Sequence, residues 1–342
     1  MADSKPMRFL AGDIGGTKAL LEIFERAGKG YRTIQRSEKP SGQYPTFEAL
    51  LGDFVQSQNV EIGAAAFSVA APLHEGRGRF TNLPWQMDEA VAARELGLPR
   101  LRLVNDFVAA ALGIPELAPA DLLWLHPATL NPRGVRVVLG AGTGLGMGFA
   151  TPQADGQDFD AWPSEGGHAD FAPRSDEEVE IWRWAHQVIQ GRVGYERLIS
   201  GSGLSLLYAF YEAQRQGRAP ETREATALTP AAVSEAYRMG RDPSARRAVD
   251  KFLDLLGGFA GNAALQYLPS GGVYLAGGVI AHLASAVPKS PLLRSFVDKG
   301  RLSDAVRRCP LALVRNPELE LMGARLVAVQ LGASGRPASR RS

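Results

Sequence analysis

The residues best suited to chemistry in this chain are of two kinds. Glycine-rich turns carrying threonine occur twice, as Gly-Asp-Ile-Gly-Gly-Thr at 12–17 and Gly-Ala-Gly-Thr-Gly-Leu-Gly at 140–146. Carboxylate, amide and imidazole groups occur in Val-Asn-Asp-Phe at 104–107 and Ser-Glu-Gly-Gly-His at 164–168. Glycine lets backbone N–H groups approach an anion with no Cβ in the way, so the first kind suits phosphate. Gly12, Asp13, Ile14, Gly15, Gly16 and Thr17 are one candidate set, and Gly142, Thr143 and Gly144 the other. Thr17 and Thr143 add hydroxyl donors. Asp13 is a suitable partner, through water, for Mg²⁺, which keeps most of its waters. Ordinary β-hairpin turns also use glycine, so either loop alone has a bland reading.

The second kind suits a polyol. Asn105-Asp106 stands where a buried strand meets a helix, and in α/β folds ligands bind at that strand end. Asp106 is placed to accept the proton of an alcohol attacking a terminal phosphoryl group. The competing reading makes Asp106 a helix N-cap. Glu165 and His168 have the Glu-x-x-His spacing of a helical di-iron site, but the two glycines between them argue for a turn. A turn puts both side chains on one side, offering acceptors and a donor to adjacent hydroxyls. Asn82 is a further candidate amide, against ordinary turn chemistry. Glu196, taken alone, reads as a solvated helix residue. Gly277-Gly278, after a strand, leaves room for a nucleoside against the backbone, or else is a plain helix-entry turn.

Together the segments suggest transfer of a phosphoryl group from a nucleotide to a sugar. A non-catalytic regulator that closes on sugar or nucleotide is the rival from another class. The Walker G-x-x-x-x-G-K-[ST] is missing, although Lys18 follows Gly-Gly-Thr, and so is the dinucleotide-binding G-x-G-x-x-G. The 342 residues are comfortable for two cores. A net charge of +2 gives no reason to expect nucleic acid or membrane as a partner. The single cysteine, Cys309, forms no intrachain disulfide and no cysteine-rich zinc site. No apolar run approaches membrane-spanning length, and the cytoplasm is the expected compartment.

Positioning these groups requires alternating strands and helices. Strands are expected at 7–13, 19–25, 62–70, 101–104, 135–139, 147–150 and 273–276. Helices are expected at 45–56, 87–96 and 107–112. Others are expected behind a Ser175/Glu178 capping box, through Leu204 to Tyr211 and through Val249 to Ala263. The last starts with Pro317 as its first residue, behind Asn316. Residues 214–230 read as a surface loop. A strand, glycine turn and strand open each half, a weak internal repeat that suggests two α/β domains facing across a cleft.

In this order the segments resemble the bacterial glucokinases of the enterobacterial, non-ROK hexokinase group, from about Arg8 to Leu331. The pattern is Gly-Asp-x-Gly-Gly-Thr, Asn-Asp-Phe, Gly-(Ala/Pro)-Gly-Thr-Gly-Leu-Gly, Glu-Gly-Gly-His-x-Asp-Phe and Ala-Gly-Gly, here at 12–17, 105–107, 140–146, 165–171 and 276–278. The resemblance implies the two-domain α/β fold of hexokinase, actin and Hsp70 (ribonuclease H-like), with a central active-site cleft. It implies a small domain of 8–115 plus 317–332, a large domain of 116–316, and flexible termini. It implies ATP and Mg²⁺ as cofactors and glucose held by Asn105, Asp106, Glu165, His168 and Glu196, with Asp106 as base for the 6-hydroxyl. Members are commonly homodimers. Lys18 departs from a well-known member, which has asparagine there. Another hexose is the alternative substrate. The related ROK kinases usually carry a cysteine-rich zinc motif, which one cysteine cannot supply.

Overall fold

The computed structural model describes residues 6–28, 30–56, 60–80, 83–154, 158–218 and 228–333. The chain divides into two compact units, Met1–Leu117 with Glu318–Ser342, and Ala118–Pro317.

The first unit opens with β1 (Arg8–Ile14), β2 (Lys18–Ala27) and β3 (Gly30–Pro40), an antiparallel meander. After α1 (Phe47–Gln56) comes β4 (Ala64–Val69), parallel to β1. A small antiparallel sheet follows, of β5 (Leu73–His74), β6 (Arg77–Arg79) and β7 (Gln86–Asp88), and leads into α2 (Glu89–Glu95). Then β8 (Leu101–Asn105) adds to the main sheet and runs directly into α3 (Asp106–Gly113). The main sheet has the order β3-β2-β1-β4-β8. Its strands obey the period of two. Leu10, Ile14, Leu21, Ile23 and Phe67 face a core with Phe47, Leu50, Leu51 and Phe54 of α1, while Phe9, Ala11, Phe24, Ala64 and Ala66 face the other way.

The second unit holds β9 (Leu122–His126), β10 (Arg136–Ala141), β11 (Leu145–Pro152) and β12 (Phe159–Ser164). Four helices follow: α4 (Asp176–Ile189), α5 (Gly201–Arg215), α6 (Pro230–Met239) and α7 (Pro243–Tyr267). The unit ends with β13 (Val273–Ala276), α8 (Gly278–His282), α9 (Leu292–Val297), α10 (Ser303–Val306) and β14 (Leu311–Val314). Its sheet has the order β12-β11-β10-β13-β14-β9. Five of its six strands repeat the first sheet: two antiparallel pairings, then two parallel ones. The internal repeat is thus a repeat of topology, with β9 added antiparallel at the far edge.

The last helix, α11 (Leu319–Ala333), belongs to the first unit. Its Leu321, Ala324 and Ala328 cover Phe9, Ala11, Ala64 and Ala66. It also crosses α3 at backbone contact, where a Cβ on Gly323 would stand 1.8 Å from the Ala109 carbonyl. Two further contacts fix its register on the sheet. Gly332 lies against the Phe9 ring, and Arg325 binds Glu22, which pairs with Ala11. The first turn of α11, with Glu320, is therefore left at the Asp13 end of β1.

Four expected details differ. The expected helix at 87–96 starts only at Glu89, because Gln86, Met87 and Asp88 pair with β6 and Asp88 then caps α2. Pro317 precedes the last helix by two residues, and the first helical bond there runs from Met322 N–H to Glu318 O. Ser175 caps α4 as expected, but Glu178 does not close the box. Its carboxylate reaches one residue further back, to the N–H and guanidinium of Arg174, where it gains a charged partner. The expected loop at 214–230 includes the last turn of α5 and starts α6, and 219–227 lie outside the described residues.

Candidate active site

In the first unit, the turn between β1 and β2 is closed by Gly15 N–H donating to Lys18 O at 2.9 Å. Ser41, the residue just after β3, braces it, its hydroxyl donating to Gly15 O at 2.7 Å. Among the described residues the N–H groups of Gly16 and Thr17 have no backbone acceptor, so two donors stay open to an anion. Gly12 and Ile14 lie inside β1. A Cβ on Gly12 would meet Phe67 and Leu21 at 2.7 and 2.8 Å, and Ile14 is wholly buried. Their positions are explained by packing, and Gly15, Gly16 and Thr17 form the turn itself.

Asp13, the last residue but one of β1, lies on the face covered by α11, opposite Ser68 of β4. Burial raises its pKa, and the Ser68 hydroxyl and Lys18 ammonium offset part of that. Lys18 itself pairs with Glu38 at 3.0 Å on the surface.

Asn105 resolves the choice over Asp106. The N-cap of α3 is Asn105, whose Oδ1 accepts from the N–H groups of Phe107 and Val108 at 3.0 and 3.3 Å. Asp106 is the first helical residue. Its Oδ1 accepts from Phe107 N–H at 3.0 Å, and the Asn105 side chain also hydrogen-bonds its carboxylate. Burial, then the charge of Asp13, pushes the Asp106 pKa up to about 6. A third carboxylate joins this end of the sheet. Glu320 is pushed up to about 8, by burial first and then by the charges of Asp13 and Asp106. Sequence reasoning missed Glu320. Its signal is an acid in the first turn of a helix that otherwise buries leucine and alanine, and only the register of α11 gives it meaning.

In the second unit, the turn between β10 and β11 is closed by Gly142 N–H donating to Gly144 O at 2.9 Å, and among the described residues the N–H groups of Thr143 and Gly144 have no backbone acceptor. Beside it lies the Glu165–His168 turn, a single 3-10 turn rather than a helix. His168 stands between two carboxylates. Its Nε2 is 3.7 Å from Glu165 Oε2, and its Nδ1 is 3.7 Å from Glu196 Oε1. Glu196 is therefore not a solvated helix residue. It lies in a 3-10 turn, and its Oε2 accepts from Leu145 N–H at 3.0 Å. Sequence alone missed this because Glu196 is 51 residues from its bond partner.

A cavity of about 520 Å³ adjoins this second turn, lined by Gly142, Thr143, Ser202, Ser234, Gly278 and His282 among others. Its walls are mainly apolar with a few convergent polar groups, as a nucleoside requires. Gly278 lines it with nothing within 4 Å of a would-be Cβ. Gly277 has φ +100°, and a Cβ there would meet the Ala141 backbone at 2.6–2.9 Å, so it needs glycine on both counts. Asn82 lies outside the described residues. No three acidic, histidine or cysteine side chains among those described are grouped to hold a metal ion by themselves.

The family model for glucokinase matches residues 10–331. A glucokinase of Nostoc punctiforme is 34% identical, the match covering 94% of this chain and 99% of that one. A glucokinase of Chromobacterium violaceum is 36% identical over 92% of this chain and 87% of its own. Among solved structures, a glucokinase from an Antarctic psychrotroph superposes with a TM-score of 0.83 at 25% identity, over 94% of this chain and 99% of that one.

Proposed function

The chain belongs to the glucokinase family, and from that premise we propose that it transfers the terminal phosphoryl group of ATP to the 6-hydroxyl of glucose. The observation that carries the reading is the division of labour at the end of β8. Asn105 does the capping, so Asp106 is not committed as the N-cap and its carboxylate keeps capacity to accept a further proton or hydrogen bond. A carboxylate titrating at about 6 is ionised at neutral pH, yet basic enough to take the hydroxyl proton. Glu165, His168 and Glu196 receive the other hydroxyls. A histidine flanked by two acids presents donor and acceptors together. Asn105 has less to offer the sugar, because its Oδ1 caps α3 and its amide N–H₂ already donates to Ala71 O at 3.4 Å.

Phosphoryl transfer needs positioning and charge neutralisation more than covalent chemistry. The open N–H groups of Gly16, Thr17, Thr143 and Gly144 cradle the phosphates, and the cavity beside Gly278 takes the nucleoside. Mg²⁺ accompanies ATP, and the residues fit it: Asp13, with the Asp106 carboxylate near it, would hold a hydrated cation through water. When bound, the ion neutralises phosphate charge. We extend the reading to a cytoplasmic homodimer, which rests on family resemblance. Sedimentation giving a monomer mass at micromolar concentration would remove the dimer.

The test is a coupled assay for glucose 6-phosphate with several hexoses and phosphoryl donors. Glucose with ATP is expected to give the highest kcat/KM. A better turnover of mannose or an N-acetylated sugar would change the substrate, and no turnover of any hexose would end the reading.

A further inference from the structure

The geometry points to a second role for Glu196: we propose that it is the positioning residue of the donor turn, and that through it sugar binding sets the 142–145 turn for nucleotide. The inference rests on the glucokinase reading, which puts sugar against Glu196 and phosphates on that turn.

One carboxylate serves both places. Oε2 accepts from Leu145 N–H at 3.0 Å, while Oε1 faces His168 Nδ1 at 3.7 Å. The turn is shaped around this side chain, since a Cβ on Gly144 would stand 2.6 Å from Oε2. The segment that carries Glu196 is fastened on both sides. Tyr195 N–H donates to Ala169 O at 2.9 Å, tying it to the sugar turn. Gly201 N–H donates to Gly142 O at 2.8 Å, tying it to the donor turn. The two turns also touch directly, because a Cβ on Gly167 would lie 1.8 Å from Leu145 O. The three segments thus form a closed set of contacts inside one unit.

The physical link is the single charge that the two coplanar carboxylate oxygens share and a neutral carboxamide lacks. A hydroxyl that fixes Oε1 also fixes the acceptor of the Leu145 N–H bond. That bond borders the open N–H groups of Thr143 and Gly144, whose direction decides how well they meet phosphate. A hydrogen bond to an ionised acceptor is among the stronger ones, and any coupling it carries is reciprocal.

The experiment measures the dissociation constants of glucose and of a non-hydrolysable ATP analogue, each with and without the other, by calorimetry on the full chain. The unsubstituted protein is expected to show mutual tightening of about 5- to 100-fold, equal in both directions. Glu196→Gln is expected to lose most of that factor. His168→Ala should weaken glucose but keep the factor at saturating sugar, which separates the Glu196 link from a general response to sugar. Gly144→Ala should weaken glucose on the order of tenfold with no nucleotide present, although Gly144 lies in the donor turn. Ligands that bind independently, a factor that survives Glu196→Gln, or a glucose affinity indifferent to Gly144→Ala would each overturn the inference. If Gly144→Ala does not fold, the coupling in Glu196→Gln decides. Independent binding with normal turnover sinks this inference alone, whereas failure to bind or phosphorylate glucose sinks the glucokinase reading.

Discussion

Asp106 and Glu320 are the same chemical group under different loads. Both are raised by burial, but Asp106 keeps a backbone donor and Glu320 faces two other acids. Asp106 must be ionised to act, so kcat/KM should fall about tenfold per pH unit below about 6 and be flat just above it. Asp106→Asn is expected to lose about 10²- to 10⁴-fold in kcat and to erase that acid limb. Turnover within a few-fold of the parent would take the base role from Asp106. Glu320 has a stability consequence of definite sign. Its folded pKa lies above the ordinary glutamate value of about 4.5, so the folded chain holds the extra proton between about 4.5 and 8, and stability falls as pH rises through that window. Glu320→Gln removes the cost. Denaturant midpoints should show a gain on the order of 2–4 kcal/mol above pH 8 that disappears below pH 4.5. An equal gain at both pH values would mean that Glu320 is not held protonated by its surroundings.

At the scale of elements, α11 matters most because it is both a structural cover and the source of Glu320. It crosses α3 at Gly323, with no room for a side chain. Gly323→Ala should therefore force α11 off α3 and cost about 1–3 kcal/mol or more, overriding the small helix-propensity gain of alanine. Because α3 carries Asp106 at its first position, kcat should fall with stability. A stabilised and fully active Gly323→Ala protein would show that the crossing is looser than described. Arg325 is a second test of the same helix. Glu22 is wholly buried and its charge is met by Arg325 and the Thr33 hydroxyl, so Arg325→Leu leaves a buried acid short of its partner. A loss of about 3–5 kcal/mol in chemical denaturation is expected.

For the whole molecule, ligand binding is a stability term. Glucose at about 100 times its Kd should stabilise the chain by about 2.7 kcal/mol, read as a rise in Tm. Asp106→Asn should keep most of that rise, since the base acts in the transition state. His168→Ala at the same glucose concentration should lose it. If both variants respond alike, the proton acceptor and the sugar-holding group have not been separated. The topological repeat has a consequence at this scale too. Each sheet presents a hairpin turn, after β1 in one and β10 in the other, with two N–H groups open among the described residues, so the fold supplies two anion sites from one plan.

The strands and helices that carry these groups were readable from local pattern. β1 and β13 alternate or run apolar to a glycine turn, and α7 repeats Phe252, Leu256, Phe259 and Ala263 at helical spacing. The five motifs in order were enough to place the chain among the glucokinases, because short-range chemistry is written in short segments. Tertiary structure decided which groups share a charge or an acceptor. It made Asn105 the cap in place of Asp106, set Glu320 beside acids some 214 and 307 positions away in the chain, and put Glu196 on the Leu145 N–H. Burial and Coulomb coupling depend on distance in space, and no period or motif along the sequence encodes that distance.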